Sequence, residues 1–395
     1  MSEANRGALL YVAETVWGET PSGPPTLKLI RRTGGTFAQG PSHTTSAEIR
    51  SDRQVADLIR TSIAPTASID FELSYGAHDD LLEGMMMSTW TTPATTTSST
   101  DFTVVASTGA VSCTGAFTNL VEGQWFEVAG SAANDGYHQI ATRTDADNIV
   151  VADPSALTDV TSEDGVTISN DGMLRPGTTL NSFTFEEQYQ DVANAFMVYR
   201  GVVLGSLNIN IATEAIITGT FGDMASGVPI GSTDPAVERL TATVGDGTPT
   251  AAATNAITNA VDNVYSVREG DAETSMLISG LSFTINNSLR NIPVVGHLGP
   301  AAINLGTLQV TGQTTAYYGT NGLAIVDKLL DDTASKNSFR VEDAAGNAYI
   351  FSVPQLKYTG GTPEMGSLDT DVPINLAFTG YTDGNAAFQI DRFAA

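Results

Sequence analysis

Short runs of alternating apolar and polar residues, separated by glycine, threonine, serine, asparagine and aspartate, recur along most of this chain. Residues 27–32, 68–75 and 206–211 each place an apolar side chain at every second position. A period of two predicts a strand with one face on a core and the other in water. A later pair of runs predicts a β-hairpin whose turn lies at Gly346 and Asn347. We therefore predict a mainly β protein.

Two segments have the spacing of short helices instead. Residues 78–86 carry acidic side chains in their first turn, and residues 321–330 carry Leu323, Val326 and Leu330 on one stripe. Each segment follows a predicted strand that ends in an aromatic residue and a glycine. We therefore predict two short helices in equivalent settings.

This shared order of strand, aromatic–glycine end and helix predicts an internal repeat. Residues 48–58 align with residues 288–298 through an apolar–arginine pair. Further along, the alternating run 196–219 matches the run 349–380. The sequence therefore predicts two copies of one unit, each made of β-sheet with a short flanking helix.

A region of different composition interrupts the first copy. It begins with a threonine- and serine-rich linker that cannot build a core, and continues with four short β runs. Such a region predicts a small β-barrel or sandwich inserted into a surface loop. The predicted segments are the first unit's N-terminal part (1–90), the inserted β domain (91–170), the first unit's C-terminal part (171–226), a connecting segment (227–274) and the second unit (275–395).

The charge balance of the chain argues against tight binding of nucleic acid. Eighteen basic and 44 acidic side chains give a formal charge of −26, while hydrophobic residues make up 41% of the 395 positions. A polyanion repels phosphate, and the apolar content is that of a globular protein.

Cysteine content and the N-terminus restrict the setting of the protein. Cys113 is the single cysteine, which excludes a disulfide framework and a cysteine metal site within the chain. No stretch has the ~18 apolar residues of a membrane-spanning helix. The N-terminus lacks a basic stretch followed by an apolar run, so we expect a soluble protein made in the cytoplasm without a secretory signal.

No motif for catalysis or cofactor binding is present. The four histidines are scattered without metal-ligand spacing. Adjacent carboxylates at Asp79 and Asp80, and at Asp331 and Asp332, fit helix ends better than acid–base pairs. Phosphate loops and nucleophile elbows are absent from the sequence. We predict no enzyme activity, no catalytic residue, no cofactor and no metal site.

The scarce basic residues concentrate near the N-terminus. Arg31 and Arg53 frame a glycine-rich polar stretch, which predicts a long hairpin over about residues 31–53 with little core of its own. Such a hairpin is stable when it packs on another subunit, and a mobile surface loop is the alternative. The candidate assembly residues are Arg31, Arg32, Gly34, Gly35, Phe37, Glu48, Arg50 and Arg53.

Three segments of the first unit carry a more specific pattern: residues 28–35 (KLIRRTGG), 45–59 (TSAEIRSDRQVADLI) and 71–82 (FELSYGAHDDLL). Together they resemble the major tail tube protein of long-tailed, non-contractile bacteriophages, and all three lie within residues 28–82. The stretch 46–54 is the most specific part. The second unit departs from it, since residues 288–293 read SLRNIP.

The resemblance implies a β-sandwich or half-barrel in each unit, whose sheets join those of neighbouring copies into a β-barrel around a lumen. Stacked rings of three two-unit chains, or of six chains, would form the tube of the virion tail. The implied partners are further copies of the chain, the tape-measure, tail-terminator and tail-tip proteins, and double-stranded DNA passing an acidic lumen without tight binding. The hairpin would bridge subunits or rings, and the inserted domain would decorate the outside.

Two other classes of function compete with a tube protein. A surface adhesin or carbohydrate-binding β protein would use Trp125 and Tyr137 as a platform for sugar stacking. A glycan-cleaving enzyme would need a carboxylate pair in a cleft, for which Asp79 and Asp80 are the candidates. Ring or tube formation would distinguish a tube protein from an adhesin.

Overall fold

Strands dominate the structure, as the alternating pattern predicts. A computed structural model describes residues 3–98, 100–273, 276–363, 365–366 and 368–395. This part of the chain contains 30 β-strands and two α-helices. The predicted fold class, mainly β, is therefore confirmed.

The elements fall into four consecutive groups. The first group contains β1 (Gly7–Ala13), β2 (Lys28–Leu29), β3 (Gly34–Ala38), β4 (Pro41–Thr45), β5 (Leu58–Ile63), β6 (Thr66–Glu72) and α1 (Asp79–Met86). The second contains β7 (Ala94–Thr97), β8 (Phe102–Val105), β9 (Ala110–Ser112), β10 (Trp125–Ala129), β11 (Gly136–Arg143), β12 (Asn148–Val151), β13 (Val160–Glu163) and β14 (Thr167–Asn170).

The third group contains β15 (Met173–Leu174), β16 (Phe183–Tyr189), β17 (Phe196–Val202), β18 (Ser206–Ala212), β19 (Thr218–Ala225) and β20 (Val237–Leu240). The fourth contains β21 (Val264–Glu269), β22 (Ala272–Glu273), β23 (Ile278–Asn286), β24 (Arg290–Pro293), β25 (Pro300–Asn304), β26 (Gln309–Tyr317), α2 (Thr320–Leu330), β27 (Ser335–Glu342), β28 (Ala348–Gly360), β29 (Pro373–Gly380) and β30 (Gln389–Phe393).

Both predicted helices form, but the second does not bury the predicted stripe. Leu323 and Leu330 are 50% and 75% exposed, whereas Ile325 is buried in the main core, with Leu329 packed against that core. The predicted stripe on α2 is therefore wrong in part. Leu323 and Leu330 are apolar residues on the water side, where single exposed apolar side chains are common.

The largest sheet has 13 strands and runs through most of the molecule. Its main order is β22-β21-β27-β28-β29-β26-β23-β18-β19-β6-β3, and β15 and β30 pair beside β28. All the neighbouring strands in it are antiparallel. The predicted hairpin at Gly346 and Asn347 is the β27–β28 pair.

One pairing order occurs twice in this sheet. Between residues 34 and 225, β3 pairs with β6, β6 with β19, and β19 with β18. In the second half, β23 pairs with β26, β26 with β29, and β29 with the C-terminal part of β28. Helices α1 and α2 directly follow the equivalent strands β6 and β26. We refer to these two four-strand sets, with their helices, as the first and second units.

The two units share one core on one face of the sheet. Alternate residues of the strands point into it, and they pack with α1, α2 and the β16–β17 hairpin. Phe71 stacks on Phe221 with ring centroids 4.8 Å apart, and Phe339 on Phe351 at 5.2 Å. Such burial is the main stabilising contribution to a sheet of this kind.

The region between the two parts of the first unit forms an eight-stranded sheet of its own. Its order is β13-β8-β9-β12-β11-β10-β14-β7, and every strand lies between Ala94 and Asn170. A separate cluster that includes Phe102, Phe117 and Phe126 fills it. We refer to this part as the insert.

The expected connecting segment, 227–274, contributes strands to sheets on both sides of it. β20 pairs with β17, and β21 pairs with β27. Beyond linking the two units, as predicted, the segment therefore adds strands to two sheets. Its threonine-, alanine- and glycine-rich composition hides two strands that are completed by partners elsewhere in the chain. The boundary expected at 274–275 lies outside the described residues.

Residue Asp391 of β30 joins the insert to the main sheet. Its carboxylate accepts hydrogen bonds from Asn170 Nδ2 (3.3 Å) and from Gln389 Nε2 (2.5 Å), and it lies 3.4 Å from the backbone nitrogen of Trp125. The side chain is completely buried, and this burial raises the pKa of Asp391 to about 7 against the opposing effect of its hydrogen bonds.

A buried glycine tests the packing of the main core. A Cβ atom on Gly219 would lie 2.3 Å from the ring of Phe71, its partner on the neighbouring strand. We expect Gly219→Val to lower the free energy of unfolding by about 1–3 kcal/mol, because the ring cannot move without disturbing the core. Thr218→Val, on the exposed face of the same strand, is the control. Equal urea midpoints for the two variants would contradict this packing.

Asp391 predicts a pH dependence of stability. The carboxyl ionises near pH 4 in the unfolded chain but only near pH 7 in the folded protein, so the folded state binds more protons in between. Stability therefore falls as pH rises through this window, by on the order of 3 kcal/mol from this group. We expect Asp391→Asn to remove that part of the dependence. Urea unfolding at pH 4.5 and 8 measures it, and an unchanged difference between the two pH values would refute it.

Candidate assembly surface

A two-stranded arm projects from the edge of the main sheet. β3 and β6 pair within the sheet, and beyond them β4 pairs only with β5 in a separate two-stranded sheet. Residues 46–57 connect β4 to β5 at the tip. The hairpin predicted at about 31–53 is thus displaced: it extends from Gly34 to Glu72, because the glycine-rich stretch is extended strand and not the turn.

The arm has no core of its own. All five residues of β4 are exposed, and so are the first four residues of β5. Apolar side chains are also exposed along it: Ile49 at 99%, Val55 at 66%, Leu58 at 60% and Ile59 at 54%. Apolar groups concentrated on a projecting element are typical of a surface that packs on another molecule.

Glycine is required where the arm leaves the sheet. Gly40 has φ +58°, and a Cβ atom there would lie 2.1 Å from the carbonyl oxygen of Ala64. Gly35 has φ +129°, with the Ser68 carbonyl oxygen 2.4 Å from its would-be Cβ. These close backbone contacts explain why the base of the arm is rich in glycine.

Three of the predicted assembly residues lie at the tip. Arg50 forms an ion pair with Asp52 at 2.9 Å, and this contact lowers the pKa of the Asp52 carboxyl. Arg53 has φ +59°, and Glu48 donates its backbone N–H to Ser46 Oγ at 3.3 Å. The tip is thus ordered by its own polar contacts, while Ile49 points into solvent.

The other predicted assembly residues lie at the base, apart from the tip. Arg31 Nη1 donates to Ser74 Oγ (3.1 Å) and to two carbonyl oxygens of residues 253 and 255, so it braces the end of β6. Arg32 Nη2 contacts the carbonyl oxygen of Gly7 at 3.5 Å. Gly34, Gly35 and Phe37 are in β3, and the Phe37 ring packs against Phe185 and Tyr199.

A second, shorter arm lies beside the first. β24 and β25 form another two-stranded sheet, and Val295 at its tip is fully exposed. Ile63 of the first arm donates its backbone N–H to the carbonyl oxygen of Leu298 at 2.8 Å. The predicted alignment of 48–58 with 288–298 matches a segment of the first arm with a segment of the second. The two segments are not equivalent in position, because 48–58 lies at the tip of the first arm while Ser288 lies at the base of the second.

Within the described residues, the four-strand sets leave two strand edges without a partner. β3 ends the main sheet, with β6 as its only neighbour. In β28, residues beyond Leu356 pair with β29 on one side only. The strand on the other side, β27, begins at Ser335 opposite Leu356 and does not reach them. Free edges of this kind present N–H and C=O groups to another chain. Sequence reasoning missed the β28 edge.

The chain contains an example of how these edges could be joined. β18, equivalent to the C-terminal part of β28, pairs with β23, equivalent to β3. The joint is antiparallel and pairs seven residues, from Ser206 with Asn286 to Ala212 with Gly280. A side-chain hydrogen bond from Asn208 Nδ2 to Thr284 Oγ1 (2.8 Å) reinforces it. The alternating apolar and polar residues of β18 and of β23 are the sequence signal for this joint.

Asp79 and Asp80 have structural partners. Asp79 contacts Tyr349 Oη and forms an ion pair with Arg392 at 2.6 Å, while Asp80 pairs with Lys28. Burial and the Asp79 carboxylate raise the pKa of Tyr349 well above its usual range. Asp79 therefore holds the start of α1 to the main sheet and Asp80 holds it to β2, as the helix-end interpretation expects.

Trp125 and Tyr137 do not form an open platform. Trp125 is buried, its Nε1 donates to Ser352 Oγ at 3.0 Å, and Arg268 lies 5.2 Å from the ring. Tyr137 packs on Phe393 and carries the Arg340 guanidinium on its other side, 4.4 Å from the ring centroid. A cavity of about 310 Å³ lies here between the insert and strands β21, β27 and β28 of the main sheet. Trp125 and Tyr137 thus pack the insert against the main sheet.

The described residues contain neither a metal-ligand cluster nor a membrane-spanning helix. In the described ranges, no group of three or more histidine, cysteine or acidic side chains is arranged to hold a metal ion. His78 and His138 are buried and bonded to backbone oxygens, and burial lowers the pKa of each. None of the helices described here is long and apolar enough to cross a membrane.

Comparison with known families decides between the competing classes. The model of the family described as phage tail tube protein matches residues 4–380. The chain belongs to this family. No curated protein matches it. As a tail tube protein it is a structural component of the phage tail, where it assembles with copies of itself and with other tail proteins. The predicted resemblance to tail tube proteins is confirmed.

Shortening the arm tests its role in this tail tube protein. Replacing residues 42–62 by a short turn removes exposed residues and leaves β3 and β6 in place. We expect the variant to keep the thermal midpoint of the natural chain but to form tubes poorly, because the exposed apolar groups of the arm are lost. Circular dichroism and electron microscopy measure the two. If the shortened chain formed normal tubes, the arm would have no role in assembly.

Proposed function

We propose that this protein builds the tail tube as stacked rings of three chains, each chain supplying two tube units. The observation that carries the proposal is the β18–β23 joint, which links the two units of one chain edge to edge. The same joint between chains would use the β28 edge of one copy and the β3 edge of the next. Both edges that the four-strand sets leave open would then be paired.

The internal joint also gives a register for the joint between chains. The tyrosine–glycine ends of β6 and β26 align the two units, with Tyr75 equivalent to Tyr318. Cross-strand pairs then make Thr36 equivalent to Thr284 and make Leu207 equivalent to Tyr358. The β28–β29 pairing shifts register between Tyr358 and Gly360, and the exposed residue at this shift, Thr359, follows Tyr358 as Asn208 follows Leu207. In the proposed ring, Thr36 of one chain lies opposite Thr359 of the next.

The number of strands favours three chains over six. Each chain adds eight strands to the joined sheet, which are β3, β6, β19, β18, β23, β26, β29 and β28. Three chains supply 24 strands, and at about 4.8 Å per strand they close a barrel whose backbone is about 37 Å across before strand tilt. Six such chains would double this diameter.

The remaining elements have roles consistent with a tube. The exposed face of the joined sheet would line the lumen for the genome, and its carboxylates would make that lumen acidic. The arms would bridge chains or successive rings, since they project from one end of the strands. The insert would lie outside the ring. Tape-measure, tail-terminator and tail-tip proteins would be the other partners, and the role is structural and not catalytic.

Cysteine cross-linking tests the register and the number of chains together. We expect Thr36→Cys with Thr359→Cys to give disulfide-linked dimers and trimers in oxidised tubes, because cross-strand neighbours are within disulfide reach. The ladder on a non-reducing gel should end at three chains. Cys113 will not interfere, since it is buried and burial raises the pKa of its thiol to about 11.

Two matched variants complete this experiment. Asn208→Cys with Thr284→Cys should form a disulfide within one chain, which shows that the joint geometry permits the bond. Thr36→Cys with Gln313→Cys places the second thiol on a central strand and should give no link between chains. A ladder that reaches six chains would show a ring of six chains and refute the ring of three. Tubes without any cross-link would overturn the proposed joint.

A further inference from the structure

The face of the joined sheet opposite the core is almost free of charge. Hydroxyl and amide side chains alternate there with the buried residues of each strand. The uncharged polar residues on this face include Ser68, Ser206, Asn208, Asn210, Thr218, Thr220, Ser282, Thr284, Gln309, Thr311, Gln313, Thr315, Asn375 and Thr379. Of the 44 acidic residues in the chain, few can therefore contribute to this surface.

The carboxylates of this face all lie in the first unit. Asp70 and Glu72 alternate with the buried residues of β6, and Asp223 lies at an irregular position of β19. Thr220 Oγ1 donates to Asp70 at 2.8 Å, and Asn286 Nδ2 donates to Asp223 at 3.1 Å. These neighbours hold two of the three carboxylates against the sheet.

The equivalent positions of the second unit are uncharged. Gln313 and Thr315 of β26 occupy the places of Asp70 and Glu72. Asp223 lies at the register shift of β19, and β29 pairs with β26 without such a shift, so Asp223 has no counterpart there. β23, β26, β29 and residues 356–360 contain no aspartate or glutamate. The cation in these strands, Lys357, forms an ion pair with Asp332. The two units thus share a backbone arrangement but differ by three negative charges on this face.

We infer that the lumen carries its negative charge in three longitudinal sectors separated by three uncharged sectors, and that the duplex slides mainly along hydroxyl and amide groups. This inference rests on the proposed ring. A wall without free cations releases no counterions on contact with phosphate, so it has no electrostatic hold on the duplex. The carboxylates of the first unit then add repulsion on three sides but are not what prevents adhesion.

Phage particles with altered lumen charge test this inference. The first variant, Asp70→Asn with Glu72→Gln and Asp223→Asn, removes the carboxylates of the face. The second, Thr311→Lys with Gln313→Lys, adds cations at two exposed positions of the uncharged sector. The readout is the rate of DNA release from purified particles after triggering, measured at low and high salt. Electron microscopy first establishes whether each variant forms tails.

We expect the carboxylate-free particles to release DNA within about twofold of the natural rate, because the uncharged wall remains. The lysine particles should be slower by roughly tenfold or more at low salt, with recovery at high salt, since phosphate contacts weaken steeply with salt. A control that neutralises Glu19, Asp164 and Asp327 removes three exposed charges outside this face.

Each outcome bears on a different statement. Normal tails that release DNA tenfold more slowly without the three carboxylates, but not in the control, would overturn the inference and leave the tube intact. Lysine particles that release DNA at the natural rate would also overturn it, because the second unit would then not face the genome. If the natural chain formed no tubes, the proposed function itself would fail.

Discussion

Backbone hydrogen bonding between β18 and β23 is the interaction on which the architecture depends. It merges two units into one sheet, so that the aromatic residues of both can share a core. It also leaves β3 and the end of β28 as edges of complementary kind. A chain with this joint already contains one of the contacts that a closed ring would need, and only the contact between chains remains to be made.

The contrast between the two sheet faces follows from this arrangement. Apolar residues occupy one side of the eight strands of the two units, and the helices and the β16–β17 hairpin cover them. The other side needs no packing, so its side chains are restricted only by solubility and by what passes near them. Hydroxyl and amide groups satisfy both conditions, and the two units differ in charge there without any change in backbone pairing.

Much of the fold follows from local patterns. Period-two alternation identified β6, β18 and the β27–β28 hairpin, and the acidic first turn with its apolar spacing identified α1. The length of the first arm was not predicted. Glycine-rich residues 34–40 read as a turn, yet β6 supplies partners that make them a strand. The two strands at the ends of the connecting segment were missed for the same reason, because their partners are distant in sequence.

The candidate site was predicted only in part. Glu48, Arg50 and Arg53 do lie on a projecting arm, whereas Arg31 and Arg32 are tied to neighbouring backbone by hydrogen bonds that no local pattern reveals. The β28 edge also lacks a local signal. It exists because β27 begins at Ser335, opposite the middle of β28.

That starting point of β27 has a consequence for the accuracy of assembly. A strand from another chain could slide along an open edge by two residues and still form a full ladder, since side chains would keep their faces. Here β27 occupies the edge up to Leu356, so an incoming β3 of the proposed ring would meet a physical stop. With β3 only five residues long, little room would remain for misaligned pairing. The proposed joint would thus be protected against slipped polymers by geometry alone.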